Sequence, residues 1–452
     1  MPSELLSREP VLDEKAFWGR QHDVRWLADK LGGYTPQNCN LIGEPRIGKT
    51  SLLYHVYQQK IGLPVHMVGL YVWVRLVELA AQDSNEFWRL MLTQLHVAMG
   101  GRAGTSTNAL PDNERDIFDV LDMEIDSILS DMAVERIVFL IDDFDLLVGG
   151  VSKHDLDWLR ALATRYGESL SFVISSTEPL VKLCDKIVEE SGVSPFPNLF
   201  HSYWLGLLEK DGAERLCLRA AEVRELTLMP ESLSFLLAEA GRHPDLLKVA
   251  CEHFFDVCGE TAVIPCYDLA RTEFRLDAHV NWLCRQLWQR RSEKERGALA
   301  ELAAGNTHIA DPILAAQLTR RLGLVEENAG GLRLFAGVFR YWIAQETAVF
   351  TSPVFEQPIS EFDHDSEHRF VIIDERQIHL TKLENRLLAY LLAHTNEICS
   401  VEALLENVWD ASKQISVVEK GINRLRTKIE IDPRRPRYIL SARGEGYILR
   451  TN

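Results

Sequence analysis

The segment GEPRIGKTSLL, residues 43–53, restricts the fold of this chain more than any other feature of its sequence. It follows an apolar stretch around Leu41 and opens an amphipathic one, which predicts a strand, a glycine-rich loop and a helix. The residues from Gly43 to Thr50 match the spacing G-x-x-x-x-G-K-[ST]. Its two glycines let the backbone curl so that successive N–H groups face a phosphate. A chance glycine-rich turn is the alternative, but it would not account for the flanking strand and helix.

The same loop predicts its ligand. Lys49 can supply a point charge to the β- and γ-phosphates, the Thr50 hydroxyl can coordinate Mg²⁺, and the helix N-terminus adds its dipole. We therefore expect ATP or ADP, with Mg²⁺, as cofactors. The expected nucleotide contacts are Gly43, Glu44, Pro45, Arg46, Ile47, Gly48, Lys49, Thr50 and Ser51.

A second, acidic segment completes the predicted site. The stretch IVFLIDDFD, residues 137–145, indicates a buried strand with an acidic end. Asp142 is expected to hold Mg²⁺ through water, and Asp143 to activate the attacking water, because phosphoryl transfer needs little beyond positioning and charge neutralisation. A strand that simply ends in solvated acids is the alternative.

Strands and helices alternate up to about residue 204, and the strands are continuous apolar runs. This pattern predicts a parallel sheet covered on both faces. From about residue 205 the pattern is helical and includes one long predicted helix over residues 269–291. Two prolines and many acidic residues indicate a linker over residues 351–365.

The net charge of −17 argues against wholesale binding of nucleic acid, but the charge is uneven. Residues 411–452 carry ten Lys or Arg against four Asp or Glu, so the chain has a basic tail. The sequence contains no run of eighteen apolar residues and no signal-peptide pattern, so we expect no membrane span. The eight scattered cysteines favour core thiols over a metal site and are typical of a cytoplasmic protein.

The segments FWGR, GEPRIGKTSLL, FLIDDFDLL and GRHP occur in this order. Over roughly residues 12–350 they resemble a STAND-type signal-transduction ATPase, a branch of the AAA+-related P-loop proteins. The resemblance implies a slow ATPase that works as a switch, with ATP and ADP holding different domain arrangements. It places the segment from Gly241 to Pro244 in a helical lid that faces the nucleotide, with His243 at the β-phosphate. The residues that it places around the adenine are Phe17, Trp18, Gly19 and Arg20.

Two departures from the family's pattern concern catalysis. The strand FVISSTEPL ends in Ser175, Ser176 and Thr177, where many relatives have an arginine that senses the γ-phosphate. No clear arginine finger is evident, because surface charge is the preferred interpretation of the two candidates, Arg160 and Arg165. Hydrolysis is therefore expected to be very slow or to need a partner chain.

The segment that begins SEKERGALAELA at Ser292 resembles the winged helix that packs behind the lid in this family. It opens with a predicted capping box between Ser292 and Glu295. This winged helix usually makes intramolecular contacts, and the acidic hairpin VEEN favours such a scaffold role over DNA contact.

The last segment, residues 366–452, has its own pattern of hairpins and short helices. Its motifs LTKLE, VW, LRTK, DP, PRYI and RGEGY resemble the winged-helix output domain of OmpR/PhoB-type response regulators. The resemblance implies binding of double-stranded DNA. The chain nevertheless lacks a receiver domain, and the ATPase stands in its place.

The helix SVVEKGINRLRTKIE has an apolar side with Val417, Ile422, Leu425 and Ile429. Arg and Asn on its polar side could read base edges in a major groove. The alternative is an interaction-only winged helix with a solvated basic face. The residues expected to contact DNA, from this polar side and from matches to the family, are Lys413, Ser416, Lys420, Asn423, Arg424, Ser441 and Arg443.

These features predict a multidomain fold, α/β followed by α. A parallel-sheet P-loop NTPase domain is followed by a helical lid, a winged helix and a second, C-terminal winged helix. The predicted ranges are 1–204 for the NTPase domain, 205–270 for the lid, 271–350 for the first winged helix, 351–365 for the linker and 366–452 for the second winged helix.

The predicted function is an ATP-dependent switch that controls DNA binding, as in a transcriptional regulator. A self-oligomer in the ATP state and an unknown signal protein are the further partners that we expect. Two alternatives stay open at this stage. One is a defence-type STAND ATPase whose tail binds a partner protein or foreign nucleic acid, and the other is an AAA+ ATPase that oligomerises on DNA.

Overall fold

The chain divides into two compact units, residues 1–348 and 349–452, and each is described by itself. The computed structural model describes residues 17–79, 83–100, 113–130, 134–188, 194–258, 267–351, 363–366, 369–373, 376–395, 397–409, 416–430, 438–442 and 446–449.

A five-stranded parallel sheet forms the centre of the first unit, with the strand order β2-β3-β4-β1-β5. Its strands are β1 Asn38–Gly43, β2 Gly69–Arg75, β3 Arg136–Asp142, β4 Leu170–Ser176 and β5 Phe200–Leu205. The parallel pairing confirms the predicted sheet. Because β1 lies between β4 and β5, the loop that follows β1 begins in the interior of the sheet's carboxyl edge.

Both faces of the sheet are covered by apolar side chains, which explains the continuous apolar runs in the sequence. Along β3, Ile137 and Phe139 belong to the core on one face, whereas Val138 and Leu140 belong to the core on the other. The helices of this part are α1 Gln21–Leu31, α2 Lys49–Gln59, α3 Ser84–Ala98, α4 Glu114–Ser130, α5 Lys153–Arg165 and α6 Leu180–Val188.

The rest of the first unit is helical, apart from one short hairpin, and surrounds a third apolar core. Its helices are α7 Lys210–Val223, α8 Pro230–Ala240, α9 Pro244–Cys258, α10 Tyr267–Leu276, α11 Ala278–Gln289, α12 Glu293–Ala303, α13 Pro312–Ala316 and α14 Gly337–Thr351. The hairpin strands are β6 Val325–Asn328 and β7 Gly331–Leu334. The expected capping box between Ser292 and Glu295 is present at the start of α12.

The prediction of one helix over residues 269–291 is wrong, because the chain forms α10 and α11 there. Asp277 separates them: its carboxylate accepts hydrogen bonds from the N–H groups of His279 (2.8 Å) and Val280 (3.0 Å). This cap supplies partners for the free N–H groups that open a new helix. The predicted lid boundary at residue 270 falls inside α10.

The described residues of the second unit form three helices and two small antiparallel sheets around its own core. Its helices are α15 Lys382–Ala393, α16 Val401–Val408 and α17 Ser416–Ile429. Its strands are β8 Asp363–Asp365, β9 Phe370–Ile373, β10 Arg376–His379, β11 Ile439–Ala442 and β12 Gly446–Leu449. No helix in the described parts of either unit is long and apolar enough to span a membrane.

The predicted linker over residues 351–365 needs correction at its end. Residues 363–365 form β8, which pairs antiparallel with β9 in a three-stranded sheet. The alternating Asp-His-Asp sequence has no apolar side that would have predicted a strand. Its backbone completes the edge of the hairpin formed by β9 and β10.

A glycine in α17 allows the helix to pack against the indole of Trp409. A Cβ at Gly421 would overlap the Trp409 ring, whereas a Cβ at Gly297 in α12 would meet nothing within 4 Å. We expect Gly421→Ala to lower the free energy of unfolding of the second unit by about 1–3 kcal/mol through overpacking.

The matched control is Gly297→Ala, which should raise stability by about 0.5–1 kcal/mol because alanine favours a helix interior. Denaturant unfolding of the full chain, followed by tryptophan fluorescence and circular dichroism, measures both changes. A Gly421→Ala variant as stable as the wild type would contradict the packing described here.

Candidate functional site

The loop between β1 and α2 has the curled backbone that its sequence predicts. Gly48 has φ +101° and Arg46 has φ +62°, both in the left-handed region that side chains disfavour. A Cβ at Gly43 would lie 2.8 Å from the Ile47 side chain and 3.1 Å from the Leu205 carbonyl oxygen. The loop therefore has room for glycine alone at Gly43.

A cavity of about 430 Å³ opens beside this loop and brings together the separate segments that the sequence predicts. The predicted residues in its lining are Phe17, Trp18, Arg20, Pro45, Arg46, Ile47, Gly48, Lys49, Thr50, Ser51, Asp142, Asp143 and Pro244. Gly19, Gly43, Glu44 and His243 were also predicted, but they lie outside the lining. The lining also contains residues that the sequence did not indicate, among them Arg75, Leu208, Gly212, Leu216, Lys248 and Trp282.

Lys49 is buried at the floor of the loop. Its Nζ donates to the carbonyl oxygens of Gly43 (3.0 Å) and Glu44 (3.3 Å). Burial lowers the pKa of Lys49, while the nearby carboxylates of Asp143, Asp145 and Asp142 oppose this shift. The ammonium group is thus held within the curl of the loop, where a phosphate would meet it.

The two predicted acids follow β3 and are held by the neighbouring strand. The Ser175 hydroxyl donates to Asp142 Oδ1 (2.6 Å) and accepts from the Asp143 N–H (2.9 Å). Asp143 is left-handed, with φ +61°, a strained conformation of the kind found at functional sites. Ser175 therefore positions both acids.

Burial raises the pKa of Asp143 to about 6; the charge of Asp142 adds to this shift, and that of Lys49 opposes it. A pKa in this range suits a general base that works near neutral pH. Thr50 and Asp142 line the same cavity and supply the oxygen ligands that Mg²⁺ prefers. The residues present therefore fit the magnesium nucleotide that the sequence predicts.

The segment predicted around the adenine, residues 17–20, also contacts the phosphate loop and α7. The Arg20 guanidinium donates to the carbonyl oxygens of Ile47 (2.5 Å) and Gly206 (2.8 Å), and it is buried. This arginine therefore ties the N-terminal segment and the end of β5 to the phosphate loop. Gly19 packs directly against Gly212 of α7, an approach that a side chain at either position would prevent.

The role that the resemblance implies for His243, a contact with the β-phosphate, stays a prediction. It is only 1% exposed and lies outside the cavity lining, beside Phe335. The N–H of Leu246 points to its Nδ1 (3.5 Å), which caps the start of α9. Burial lowers the pKa of His243 to about 4, although Asp245 opposes the shift. The ring is therefore neutral at physiological pH, and it also interacts with the backbone of Pro45 in the phosphate loop.

Sequence reasoning missed two arginines at the end of α11 that reach the phosphate motifs. Arg291 forms an ion pair with Glu44 of the loop (Nη2–Oε1 2.8 Å), and each side chain is 6% exposed. Arg290 donates to the Thr177 hydroxyl, which in turn donates to Asp145 Oδ1 (2.5 Å). Nothing in the sequence pattern links positions so far apart. The adjacent arginines before the Ser292 capping box were the only available signal.

The two arginines considered from the sequence lie elsewhere. Arg160 is exposed on α5, and Arg165 pairs with Asp122 of α4. Neither lines the cavity. Their positions agree with the preferred interpretation of both as surface charge.

The second predicted site lies on α17. Val418, Ile422, Leu425 and Ile429 are buried, whereas Val417, which was assigned to the apolar side, is only partly buried. The polar side is exposed as predicted, with Lys420, Asn423, Arg424 and Thr427. Ser416 begins α17 and Ser441 lies in β11, whereas Lys413 and Arg443 fall outside the described residues.

Residues 375–449 match a protein-family model described as "Transcriptional regulatory protein, C terminal". The C-terminal unit contains an OmpR/PhoB-type winged-helix DNA-binding domain. This match confirms the family predicted for that part of the chain and covers residues on both sides of α17.

Comparison of the structure with solved proteins gives likenesses for both units. A Walker-type ATPase of Pyrococcus abyssi is 15% identical over 75% of this chain and 99% of its own, with a TM-score of 0.49. The ORC2 protein of Aeropyrum pernix is 16% identical over 75% of this chain and 98% of its own, with a TM-score of 0.44. The DNA-binding domain of Escherichia coli CadC is 27% identical over 21% of this chain and 94% of its own, with a TM-score of 0.19.

The first unit has the P-loop ATPase fold, as its parallel sheet and the loop after β1 show. The more specific STAND-type assignment stays a prediction, as do the individual nucleotide contacts.

The Glu44–Arg291 pair yields a stability prediction. Burial raises the pKa of Glu44 and Arg291 opposes the shift, so each charge depends on the other. We expect Glu44→Leu or Arg291→Met alone to cost about 3–5 kcal/mol, because one buried charge loses its partner. The double variant should cost far less than the sum of the two single variants.

A double-mutant cycle on denaturant unfolding of the full chain measures this coupling. The control cycle uses Arg219 and Glu222, an exposed pair on α7 (2.9 Å) whose coupling should stay below about 1 kcal/mol. Additive effects at Glu44 and Arg291 would show that the pair does not connect the loop to α11 energetically.

Proposed function

We propose that this protein is an ATP-controlled DNA-binding regulator of transcription. One observation carries the proposal: a loop built for phosphate, with two acids beside it, occurs in the same chain as an OmpR/PhoB-type domain. In this arrangement the nucleotide state of the first unit controls the DNA affinity of the second. The protein then works in the cytoplasm as a switch.

The first unit binds ATP or ADP through the loop and the lid. Lys49 and the loop N–H groups hold the phosphates, while Thr50 and Asp142 hold Mg²⁺, which neutralises charge on the β- and γ-phosphates. The adenine lies in the apolar part of the cavity, whose lining includes Trp18 and Leu216. These assignments are supported by the common cavity that the residues line.

Hydrolysis is slow in this scheme and resets the switch. Asp143 takes the proton of the attacking water, a role supported by its position beside Asp142 and by its pKa of about 6. The backbone of Asp143 is strained and its carboxylate is partly desolvated, a combination that is typical of functional sites.

The second unit binds duplex DNA through α17. Asn423 and Arg424 are exposed on the same helix and have the donors that read adenine and guanine edges in a major groove. Lys420 contributes a phosphate contact, and the excess of basic residues over 411–452 adds charge along the backbone.

Lys49→Ala tests the nucleotide site. The variant should lose tight ATP and ADP binding, because the loop then lacks the ammonium group that donates to the Gly43 and Glu44 carbonyl oxygens inside its curl. Equilibrium titration with fluorescent ATP and ADP analogues in the presence of Mg²⁺ measures the affinities, and circular dichroism checks the fold. Affinities equal to those of the wild type would remove the loop from the proposed function.

DNA binding is tested with the full chain on random and selected duplexes, in the presence of ATP or ADP. Arg424→Ala should weaken specific binding by about 1–3 kcal/mol and relax base preference at one position. A switch from mostly closed to mostly open requires ATP to favour the DNA-binding state by about 5.5 kcal/mol. Fluorescence anisotropy measures both effects, with Arg219→Ala, which removes an exposed arginine of α7 in the first unit, as the matched control.

Equal DNA affinity with ATP and with ADP would show that the nucleotide state of the first unit does not control DNA binding by the second. Binding of a protein partner without any DNA affinity would support the defence-type alternative. ATP-driven filaments on duplex of any sequence would support the oligomerising ATPase instead.

A further inference from the structure

Arg75 is a cation at the edge of the nucleotide cavity to which the proposed function assigns no role. It is the last residue of β2 and lies opposite Asp142 in the parallel register of β2 and β3. Its side chain lines the same cavity as Lys49 and Thr50. Arg75 therefore enters the cavity from the strand next to the acids.

The other arginines in the cavity lining are placed differently. Arg20 is buried and fixed by the carbonyl oxygens of Ile47 and Gly206. Arg46 lies within the loop itself, and its charge acts on Lys248 of the lid. Among the arginines that line the cavity, Arg75 is the one on the side of the two acids.

Arg75 is also free to turn. Its guanidinium donates to Glu78 Oε1 at 3.2 Å, and these side chains are 37% and 44% exposed. An exposed ion pair at this spacing is weak, because water screens it and both side chains lose freedom. A phosphate that arrived in the cavity could therefore replace Glu78 as the partner of Arg75.

We propose that Arg75 binds the γ-phosphate of ATP and so distinguishes ATP from ADP. The inference rests on the proposed nucleotide site. Mg²⁺ bridges the β- and γ-phosphates in P-loop ATPases, so the γ-phosphate lies on the side of the Mg²⁺ ligand Asp142. A guanidinium can contact two phosphate oxygens at once.

The end of β4 offers no competing cation for this role. Ser175 is occupied with Asp142 and Asp143, and Thr177 with Asp145 and Arg290. We therefore assign the contact with the γ-phosphate to Arg75 at the end of β2, which lies two strands away from β4 in the sheet.

The test compares Mg²⁺-ATP and Mg²⁺-ADP affinities of the full chain by equilibrium titration with fluorescent analogues. Arg75→Ala should weaken ATP binding by roughly 10- to 150-fold, the range of a hydrogen bond to a charged group, and change ADP binding less than about twofold. Arg75→Lys should recover part of the ATP affinity, because it keeps the charge but loses the fork.

Arg219→Ala is the matched control. Arg219 also forms an exposed ion pair three residues along its chain, with Glu222 at 2.9 Å, but it does not line the cavity. Its loss should change neither affinity. Glu78→Gln should strengthen ATP binding by about two- to fivefold, because it removes the weak competitor for Arg75.

Three results would overturn the inference. Wild-type affinity of Arg75→Ala for both nucleotides would show that Arg75 makes no contact. An equal loss of ATP and ADP binding would assign Arg75 to a general structural role. A wild type that binds neither nucleotide would remove the proposed function together with this inference, whereas the first two results leave nucleotide binding by the wild type, and so the proposed function, intact. If Arg75→Ala does not fold, Arg75→Lys and Glu78→Gln decide between the same outcomes.

Discussion

The parallel pairing of β3, β4 and β1 is the constraint on which the rest of this structure depends. Parallel strands end at the same edge of a sheet, so the phosphate loop after β1 and the acids after β3 meet across β4. The carboxyl ends of such strands are where α/β proteins bind their ligands. In this sheet β4 also contributes Ser175, whose hydroxyl bonds to Asp142.

Three contacts, two of them buried, then join the sheet edge to segments before and after the sheet in the chain. Arg20 holds the loop through a carbonyl oxygen, Arg291 holds it through Glu44, and Arg290 reaches Thr177 beside the acids. A buried ion pair is weak evidence for stability, because desolvation offsets much of its attraction. The Glu44–Arg291 pair instead fixes a position: it holds the end of α11 against the phosphate loop.

Residue patterns accounted for more of the nucleotide site than of its surroundings. The loop from Gly43 to Thr50 and the pair Asp142–Asp143 could be predicted, because phosphate chemistry demands those residue types at fixed spacing. The Glu44–Arg291 contact could not, since its partners are 247 residues apart and no periodicity connects them. The break at Asp277 could not be predicted either. An aspartate within a helical pattern suggests an exposed charge on one continuous helix, and only its hydrogen bonds identify it as the cap of a new helix.

By itself, the sequence determined the parallel sheet and the phosphate loop, because both depend on local spacing and apolar periodicity. It indicated the C-terminal DNA-binding family through the resemblance of its motifs to that family, which the family model matches over residues 375–449. Only the tertiary structure decided which residues share the cavity. It placed Arg75 at the acids and buried His243 outside the lining, and it left the polar side of α17 exposed. The physical reason is that burial and ion pairing depend on contacts between residues that are far apart in the sequence. The order of residues along the chain does not show which of these contacts form.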